Sequence, residues 1–209
     1  MKFYDCKTAP SPRRVRIFLA EKGITPPTEQ VNLRGGEHLS RAYRAINPWC
    51  VVPWLVLDDG TGIGETTAIC RYFEETHPEP PLMGVDARDK ALVTMWDRRV
   101  EFDGFLAVAE VLRNTAKGMK GRALTGPDDY DQIPALAERG RARLKRFYEI
   151  LDRQLAGNTF VAGPRFSVAD ITALCAIDFA GWIGESPPEE HANLWRWHAA
   201  VAARPSAGA

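Results

Sequence analysis

Two dipeptides in the segment NPWCVVPWLVLDDGTGIGETTAICRYFEE, residues 47 to 75, have residue types and spacing that suit the binding of a small peptide. Pro53 lies inside an apolar run, although proline has no N–H to donate to a sheet. Either the strand begins after Pro53, or a cis Val52-Pro53 bond leaves the N–H and C=O of Val52 at a sheet edge. An extended peptide could pair with that edge.

The second dipeptide, Glu65-Thr66, stands at the start of a predicted helix. With Thr66 as the N-cap, the free N–H groups and the helix dipole would attract a carboxylate. Glu65 could bind an ammonium group. A ligand with a peptide backbone at one end and a free α-amino acid at the other would fit Val52, Glu65 and Thr66 together, whereas simple helix capping is the alternative for the last two.

The elements that would position these residues follow the order β-α-β-α-β-β-α over residues 1 to 77. Strands are predicted at KFYDC (2–6), EQVNL (29–33), WLVLDD and GIG, the last two joined by the turn Asp58-Asp59-Gly60. Helices are predicted at PRRVRIFLAEKG, GEHLSRAYRAIN and TTAICRYFEETH. This is the order of a thioredoxin-like α/β domain.

The rest of the chain shows only helical periodicity, so an all-helical bundle domain should follow. The predicted division is 1–78 for the thioredoxin-like domain, 79–89 for a proline-rich linker and 90–209 for the helical domain. One helix is expected over 91–112. Ser167 and Asp170 form a capping box before another long apolar helix.

Composition narrows the function classes. The 209 residues carry 27 basic and 27 acidic side chains, so no net field attracts nucleic acid. The basic clusters RRVR (13–16) and RGRARLKR (139–146) fit solvated helix faces. The N-terminus has no apolar signal segment, no stretch is long enough to span a membrane, and the four cysteines lack disulfide or zinc spacing. A cytoplasmic protein without a metal site is expected.

Two local features have competing interpretations. The glycines of GTGIGE (60–65) are spaced unlike a dinucleotide-binding loop, and a hairpin is the better interpretation. Cys50 lies next to the proposed peptide-binding edge. It could be a redox thiol, but no second cysteine accompanies it, which favours a buried structural residue.

The motifs together resemble the cytosolic glutathione transferases. The segment INPWCVVPWLVLDDGTGIGETTAICRYFE is similar to the glutathione site of that family, and YDCKTAPSPRRVRIFLAEKGI, LRGGEHLSRAYRAINP and FSVADI resemble its first strand and helix, its second helix and its helical-domain capping box. Thr66 stands where serine is usual. Val51 stands where some classes have lysine.

The resemblance implies glutathione as co-substrate and assigns roles to individual residues. Val52 would bind the cysteinyl backbone before a cis Pro53. Glu65 and Thr66 would hold the γ-glutamyl end, and His38 matches a position that often contacts the glycyl carboxylate. His38 could also be a solvent-facing helix residue.

A transferase of this kind must hold the glutathione sulfur as a thiolate, since a free thiol has a pKa of ~8.5. The candidates near the first strand are Tyr4, Cys6, Thr8 and Ser11. Ser11 could donate a hydrogen bond to the sulfur, or only cap the helix that begins at Pro12.

The N-terminal pattern most resembles an atypical fungal and bacterial branch that lacks the usual catalytic tyrosine. In that branch a water held by the helical domain assists. The matching region here is VLRNTAKG (111–118), with Asn114 and Thr115 where histidine is common. Ser11 and Asn114 are therefore the predicted catalytic residues.

The function implied is conjugation of glutathione to hydrophobic electrophiles by a homodimer, without nucleic-acid or membrane partners. The alternatives are a non-enzymatic binding or assembly module of the same fold, and a glutathione-dependent isomerase or thiol reductase. The dimer would place helix 91–112 at the interface. Its charged residues are Asp97, Arg98, Arg99, Glu101 and Asp103, of which Glu101 or Asp103 would reach the partner's ligand.

Overall fold

The computed structural model describes residues 1–209 and begins with a four-stranded sheet. The strands are β1 (Lys2–Asp5), β2 (Thr28–Gln30), β3 (Trp54–Val56) and β4 (Gly62–Ile63), in the order β2-β1-β3-β4. β1 pairs parallel with β2 and antiparallel with β3, and β3 pairs antiparallel with β4. The second strand was predicted over residues 29–33, but β2 covers Thr28–Gln30.

Three helices accompany this sheet: α1 (Pro10–Glu21), α2 (Arg41–Ile46) and α3 (Thr66–Thr76). The segment predicted as one helix over 36–47 contains a 3-10 turn, Glu37–Leu39, before α2. The break falls at Ser40, whose hydroxyl accepts a hydrogen bond from the Tyr43 N–H at 3.1 Å and so starts a new helix.

The remainder of the chain is helical. It contains α4 (Ala87–Arg99), a π-helical segment (Val100–Phe105), α5 (Leu106–Thr115), α6 (Pro134–Ala156), α7 (Val168–Gly181) and α8 (Ala192–Ala202). Short 3-10 turns lie at Lys117–Met119 and Pro205–Gly208. None of these helices combines the length and the apolar composition needed to span a lipid bilayer. The fold class predicted from the sequence, a thioredoxin-like domain followed by a helical domain, is confirmed; the exact boundaries at 78 and 90 stay a prediction.

The single helix expected over 91–112 was wrong, because the π-helical segment separates α4 from α5. A π turn inserts a residue into the helical repeat, which rotates the following side chains relative to the preceding ones. In this protein the inserted turn contains Glu101 and Phe105, both of which contact α1.

The capping box at the start of α7 is present and is deeply buried. The Asp170 carboxylate accepts hydrogen bonds from the Ser167 N–H at 3.0 Å and from the Val161 N–H and the Trp197 indole at 2.9 and 2.8 Å. Burial raises the pKa of Asp170 to about 6, although these hydrogen bonds oppose the shift. The interaction fixes α7, which packs against α1 in the common core.

Candidate active site

The Val52-Pro53 segment has the backbone geometry expected of a peptide-binding edge, and its binding role stays a prediction. The Val52-Pro53 bond is cis, and β3 begins immediately after Pro53. Tyr43 and Asn47 each donate a side-chain hydrogen bond of 2.8 Å to the carbonyl of Val51. The N–H and C=O of Val52 have no hydrogen-bond partner within the chain, so both are free to pair with an extended ligand.

Trp54 explains the glycines of the neighbouring hairpin. A Cβ at Gly62 would lie 2.4 Å from the Trp54 ring, and one at Gly64 would lie 2.7 Å from it. Glycine is therefore required because the indole lies flat against the β4 backbone. The hairpin interpretation of residues 60–65 is confirmed, since β3 and β4 pair antiparallel.

The start of α3 has the free N–H groups of an anion site, but its cap differs from the prediction. Glu65, not Thr66, is the N-cap residue, and Thr66 is the first residue of the helix. Glu65 has a left-handed backbone conformation with φ of 62°, which is uncommon outside glycine. Its carboxylate is exposed and makes no hydrogen bond within the chain, which leaves it available to a cation.

Thr66 is buried, and its hydroxyl faces inward. It donates to the Ser11 carbonyl at 3.4 Å and accepts a hydrogen bond from Arg14 Nη2 at 3.1 Å. An incoming carboxylate would therefore meet the main-chain N–H groups of Thr66 and Thr67, which lack acceptors within the chain, before it met the hydroxyl.

Ser11 lies in the first turn of α1, close to Thr66. The prediction of Ser11 as a possible N-cap was wrong, because α1 begins at Pro10 and Ala9 is its cap. Pro10 and Pro12 have no N–H, and the N–H of Arg13 is bonded to the Ala9 carbonyl at 3.4 Å. The N–H of Ser11 is thus the one unpaired amide in this turn, and it lies on the same residue as the hydroxyl proposed as donor.

Arg14 belongs to this region, although the sequence did not predict it. The cluster RRVR was expected on a solvated face, yet Arg14 is only 4% exposed. Its guanidinium donates to Glu101 Oε1 at 3.0 Å and lies 3.5 Å from Ser11 Oγ and 4.3 Å from the Phe105 ring centroid. One feature of the sequence indicates that Arg14 is buried: it lies one helical turn before the buried Ile17 and Phe18.

The other arginines of that cluster are also paired instead of solvated. Arg13 Nη1 lies 2.6 Å from the Asp178 carboxylate of α7, and Arg16 Nη1 lies 2.7 Å from Asp5 of β1. Arg14 and Arg13 therefore attach α1 to the helical domain at two points, next to the proposed thiolate position.

Of the other thiolate candidates, Tyr4 and Cys6 are buried, whereas Thr8 is exposed. The Tyr4 ring packs edge-on against Tyr43 with centroids 6.0 Å apart, and both rings are buried. Cys6 is buried, with its Sγ 3.5 Å from the Thr8 hydroxyl. Cys50 is buried as well. Ser11 contacts the start of α3 directly, because its carbonyl accepts a hydrogen bond from the Thr66 hydroxyl.

Asn114 lies in α5 and already has hydrogen-bond partners. Its Nδ2 donates to the Glu110 carbonyl at 2.8 Å, and its Oδ1 accepts from the Ile133 N–H at 2.8 Å. No hydrogen bond joins it to Ser11. Its predicted role in holding a catalytic water stays a prediction.

An open cleft of about 290 Å³ lies at the N-terminus of α1. It is bounded by the β1–α1 loop and by the C-terminal end of α7, where the rings of Phe179 and Trp182 pack edge-on with centroids 5.2 Å apart. The lining residues are Lys7, Thr8, Ala9, Pro10, Arg13, Cys175, Asp178, Phe179 and Trp182. The cleft combines apolar side chains with the charged Arg13 and Asp178 beside the first turn of α1.

Known proteins are similar to this chain in both sequence and fold. Residues 8–76 match the family model described as glutathione S-transferase, N-terminal domain, and residues 117–205 match the corresponding C-terminal domain. Glutathione S-transferase 2 of Saccharomyces cerevisiae is 33% identical over 209 residues, covering 99% of this chain and 87% of its own length.

Solved structures show the same relationship. A glutathione S-transferase domain-containing protein from Marinobacter aquaeolei is 38% identical with a TM-score of 0.91, each chain covering 99% of the other. Gtt2 from Saccharomyces cerevisiae is 32% identical with a TM-score of 0.90, over 99% of this chain and 98% of its own. Among sequence relatives, maleylacetoacetate isomerase of Pseudomonas aeruginosa is 42% identical over 93 residues, 44% of each chain. This protein belongs to the glutathione S-transferase family.

Proposed function

We propose that the protein conjugates glutathione to hydrophobic electrophiles. The observation that carries this proposal is that three complementary groups belong to one edge of the sheet, where β1 and β4 end and β3 begins. They are the unpaired main chain of Val52, the free carboxylate of Glu65 at the start of α3, and Ser11, whose carbonyl contacts Thr66. They would receive the cysteinyl backbone, the γ-glutamyl ammonium and carboxylate, and the sulfur of one tripeptide.

The chemistry follows from this arrangement. The hydroxyl and N–H of Ser11 would donate to the sulfur, and the positive end of the α1 dipole would add to their effect. Both would lower the thiol pKa, so that more thiolate is present near neutral pH. The thiolate then attacks an electrophilic carbon held in the adjacent cleft, a carbon–sulfur bond forms, and a leaving group such as a halide departs with its bonding electrons.

The apolar rings of Phe179 and Trp182 support hydrophobic second substrates. The packing of the Tyr4 ring against Tyr43 supports membership of the atypical branch, in which the usual catalytic tyrosine is missing. The isomerase alternative draws support from the similarity to maleylacetoacetate isomerase, which is confined to less than half of this chain.

The test combines turnover with binding. Conjugation of glutathione to an aryl halide should be measured together with the affinity for glutathione by titration calorimetry. Glu65→Ala should weaken binding by about 1–3 kcal/mol, since a charged hydrogen-bond partner of the ligand is removed. Glu75→Ala, on the exposed part of α3, is the matched control and should leave affinity unchanged.

The outcomes separate the candidate functions. Binding without turnover of any electrophile would favour a non-enzymatic module. Glutathione-dependent isomerisation of a cis-alkene diacid without conjugation would favour the isomerase. Equal affinities of wild type and Glu65→Ala would contradict the assignment of this site.

A further inference from the structure

The main-chain carbonyl of Val51 is held by two buried side chains. The Tyr43 hydroxyl and the Asn47 amide each donate a hydrogen bond of 2.8 Å to this oxygen. Tyr43 is only 4% exposed and Asn47 is completely buried. A carbonyl oxygen has two lone pairs, so this acceptor is fully used inside the protein.

The two donors are fixed in place by their own surroundings. Asn47 ends α2, and its Oδ1 accepts the Trp49 N–H at 3.0 Å while its carbonyl accepts the Cys50 N–H at 3.1 Å. The Tyr43 ring packs edge-on against Tyr4. If either donor turned away from Val51, a buried polar group would lose its partner, which is costly.

The peptide unit that joins Val51 to Val52 also carries an N–H that faces a ligand. This peptide bond is trans, so the Val52 N–H points away from the Val51 carbonyl and hence away from Tyr43 and Asn47. The N–H has no acceptor within the chain. Hydrogen bonds in a chain polarise one another, by about 10–30% for each bond, so two donors on the carbonyl strengthen the N–H at the opposite end of the same unit.

Tyr43 remains a donor at neutral pH. Burial raises the pKa of Tyr43 to about 12, although a hydrogen bond with Asn47 opposes the shift. The hydroxyl therefore keeps its proton, and the Asn47 amide does not titrate. Both donors are present under the conditions in which the protein would bind glutathione.

We propose that Tyr43 and Asn47 are positioning residues that fix and polarise the Val51–Val52 peptide unit, so that the Val52 N–H is a strengthened donor to a carbonyl of the bound peptide. This inference rests on the proposed function, in which Val52 receives the cysteinyl backbone of glutathione. Because the unit is already ordered in the free protein, binding would not have to order it.

The first measurement is made on the ligand-free protein. Tyr43→Phe keeps the ring and removes the hydroxyl, and thermal unfolding establishes that the variant is folded. Tyr148→Phe is the matched control, since Tyr148 also donates from a buried hydroxyl to a main-chain carbonyl, that of Glu185 at 2.5 Å. By NMR, the carbonyl carbon of Val51 and the amide proton of Val52 should both move upfield in Tyr43→Phe and stay in place in Tyr148→Phe. Unchanged resonances in Tyr43→Phe would overturn the inference.

The second measurement compares two ligands that differ in one carboxamide group. γ-Glutamylcysteinamide has the cysteinyl carbonyl that the Val52 N–H would meet, and γ-glutamylcysteamine lacks it. Calorimetry on Tyr43→Phe should show an affinity about three- to tenfold lower for the cysteinamide and unchanged for the cysteamine, since only the first ligand uses the strengthened donor. An equal loss for both ligands would indicate a general displacement of the site, and no loss for either would indicate no effect of the hydroxyl; each result would overturn the inference.

Asn47→Asp tests the second donor. The variant keeps an oxygen for the Trp49 N–H but removes the amide that donates to Val51. Both ligands meet the same new carboxylate, so the ratio of their affinities isolates the effect on the Val52 N–H. This ratio should fall in favour of the cysteamine, as in Tyr43→Phe. A ratio equal to that of wild type in a folded Asn47→Asp variant would overturn the part assigned to Asn47.

The two measurements separate failure of this inference from failure of the proposed function. Upfield shifts at Val51 and Val52 in Tyr43→Phe, in a protein that binds no glutathione, would support the polarised peptide unit and refute the proposed function. Glutathione conjugation by wild type, together with unchanged resonances and unchanged affinities in Tyr43→Phe, would refute the role of Tyr43 alone.

Discussion

At the scale of single residues, the contacts of Arg14 determine how firmly the Ser11 hydroxyl is held within the chain. Its guanidinium is held by Glu101 on one side and stacks on Phe105 on the other. It donates to Thr66 at 3.1 Å, whereas its separation from Ser11 Oγ is 3.5 Å, at the limit of a hydrogen bond. The Ser11 hydroxyl is thus only weakly engaged within the chain and can turn toward a ligand.

The first prediction concerns Ser11→Ala. If the hydroxyl donates to the bound thiolate, its removal should raise the thiol pKa and lower kcat/KM at neutral pH by about tenfold or more. Activity should partly recover at higher pH, because the thiolate then forms without the donor. Ultraviolet titration of bound glutathione measures the thiol pKa directly.

Stability provides the control for this variant. Ala9 and not Ser11 caps α1, so Ser11→Ala should change the free energy of unfolding by less than about 0.5 kcal/mol. A thiol pKa that is unchanged in Ser11→Ala would assign thiolate stabilisation to the remaining N–H or to another group.

At the scale of elements, Asn114 connects the end of α5 to the start of α6. Its Oδ1 accepts the N–H of Ile133, the residue immediately before Pro134. Asn114→Ala should therefore cost about 1–3 kcal/mol in urea unfolding, since a half-buried N–H loses its acceptor. Thr115→Ala, which removes only a hydroxyl bonded to the Val111 carbonyl, should cost less.

The same variant tests the catalytic prediction for Asn114. A loss of kcat/KM in Asn114→Ala with unchanged stability would support a water-holding role. A loss of stability with unchanged kcat/KM would show that the residue is structural.

The local chemistry of the elements shows which features can be read from the sequence. The cis Pro53, the hairpin and the Asp170 capping box follow from proline, turn and capping signals within a few residues of one another. The π-helical segment and the burial of Arg14 depend instead on contacts between α1 and residues about 90 positions later. No local periodicity predicts such contacts, nor does it predict that Glu65, with its positive φ, is the cap of α3.

Charged contacts inside the chain also revise the proposed interface. Asp97 was expected at the surface of a dimer, but it is buried and accepts hydrogen bonds from Thr172 at 2.6 Å and Thr67 at 3.3 Å. Glu101 is buried between Arg14 and Arg98. Both carboxylates are engaged within the chain, so Asp103, whose side chain is 47% exposed, is the residue we expect to reach a partner's ligand.

At the scale of the whole molecule, α1 is attached to the helical domain at both ends. Arg13 binds Asp178 near its start, and Glu21 accepts two hydrogen bonds from Arg204, at 2.8 and 2.7 Å, near its end. Asp178 also lies 2.9 Å from His198 Nε2 of α8. These contacts fix the first turn of α1, and with it Ser11, relative to the cleft formed by α7.

Asp178 makes this attachment dependent on pH. Burial raises its pKa, but the hydrogen bonds and charges of His198 and Arg13 outweigh burial and hold the pKa below its usual value. The stabilisation is therefore present above the unfolded-state pKa of about 3.9 and is lost as pH falls through the lower folded-state value.

The corresponding prediction compares Asp178→Asn with wild type in urea. The variant should be less stable by about 1–2 kcal/mol at pH 7, toward the lower end for a charged hydrogen bond because the carboxylate is partly exposed. The difference should shrink as pH falls below 4, because the carboxyl is protonated first in the unfolded chain and then, at its lower folded-state pKa, in the folded protein. A difference that stays constant from pH 7 to pH 3 would argue against this linkage.

The last prediction concerns a homodimer. The outer surface of α4, the π-helical segment and α5 exposes Met95, Phe102 and Leu106, with Phe102 47% exposed beneath the Arg98 guanidinium at 4.2 Å from its ring centroid. Exposed aromatic and aliphatic side chains grouped with arginine are typical of interface cores. We therefore expect this surface to pack against the first domain of a second copy.

Sedimentation velocity at micromolar protein measures this association. Wild type should sediment as a dimer, and Phe102→Glu should raise the dimer dissociation constant at least tenfold because it buries an unpaired carboxylate. Leu124→Glu, a similarly exposed apolar residue outside α4 and α5, should have no effect. A monomeric wild type, or a Phe102→Glu variant that dimerises as tightly as wild type, would exclude this surface as the interface.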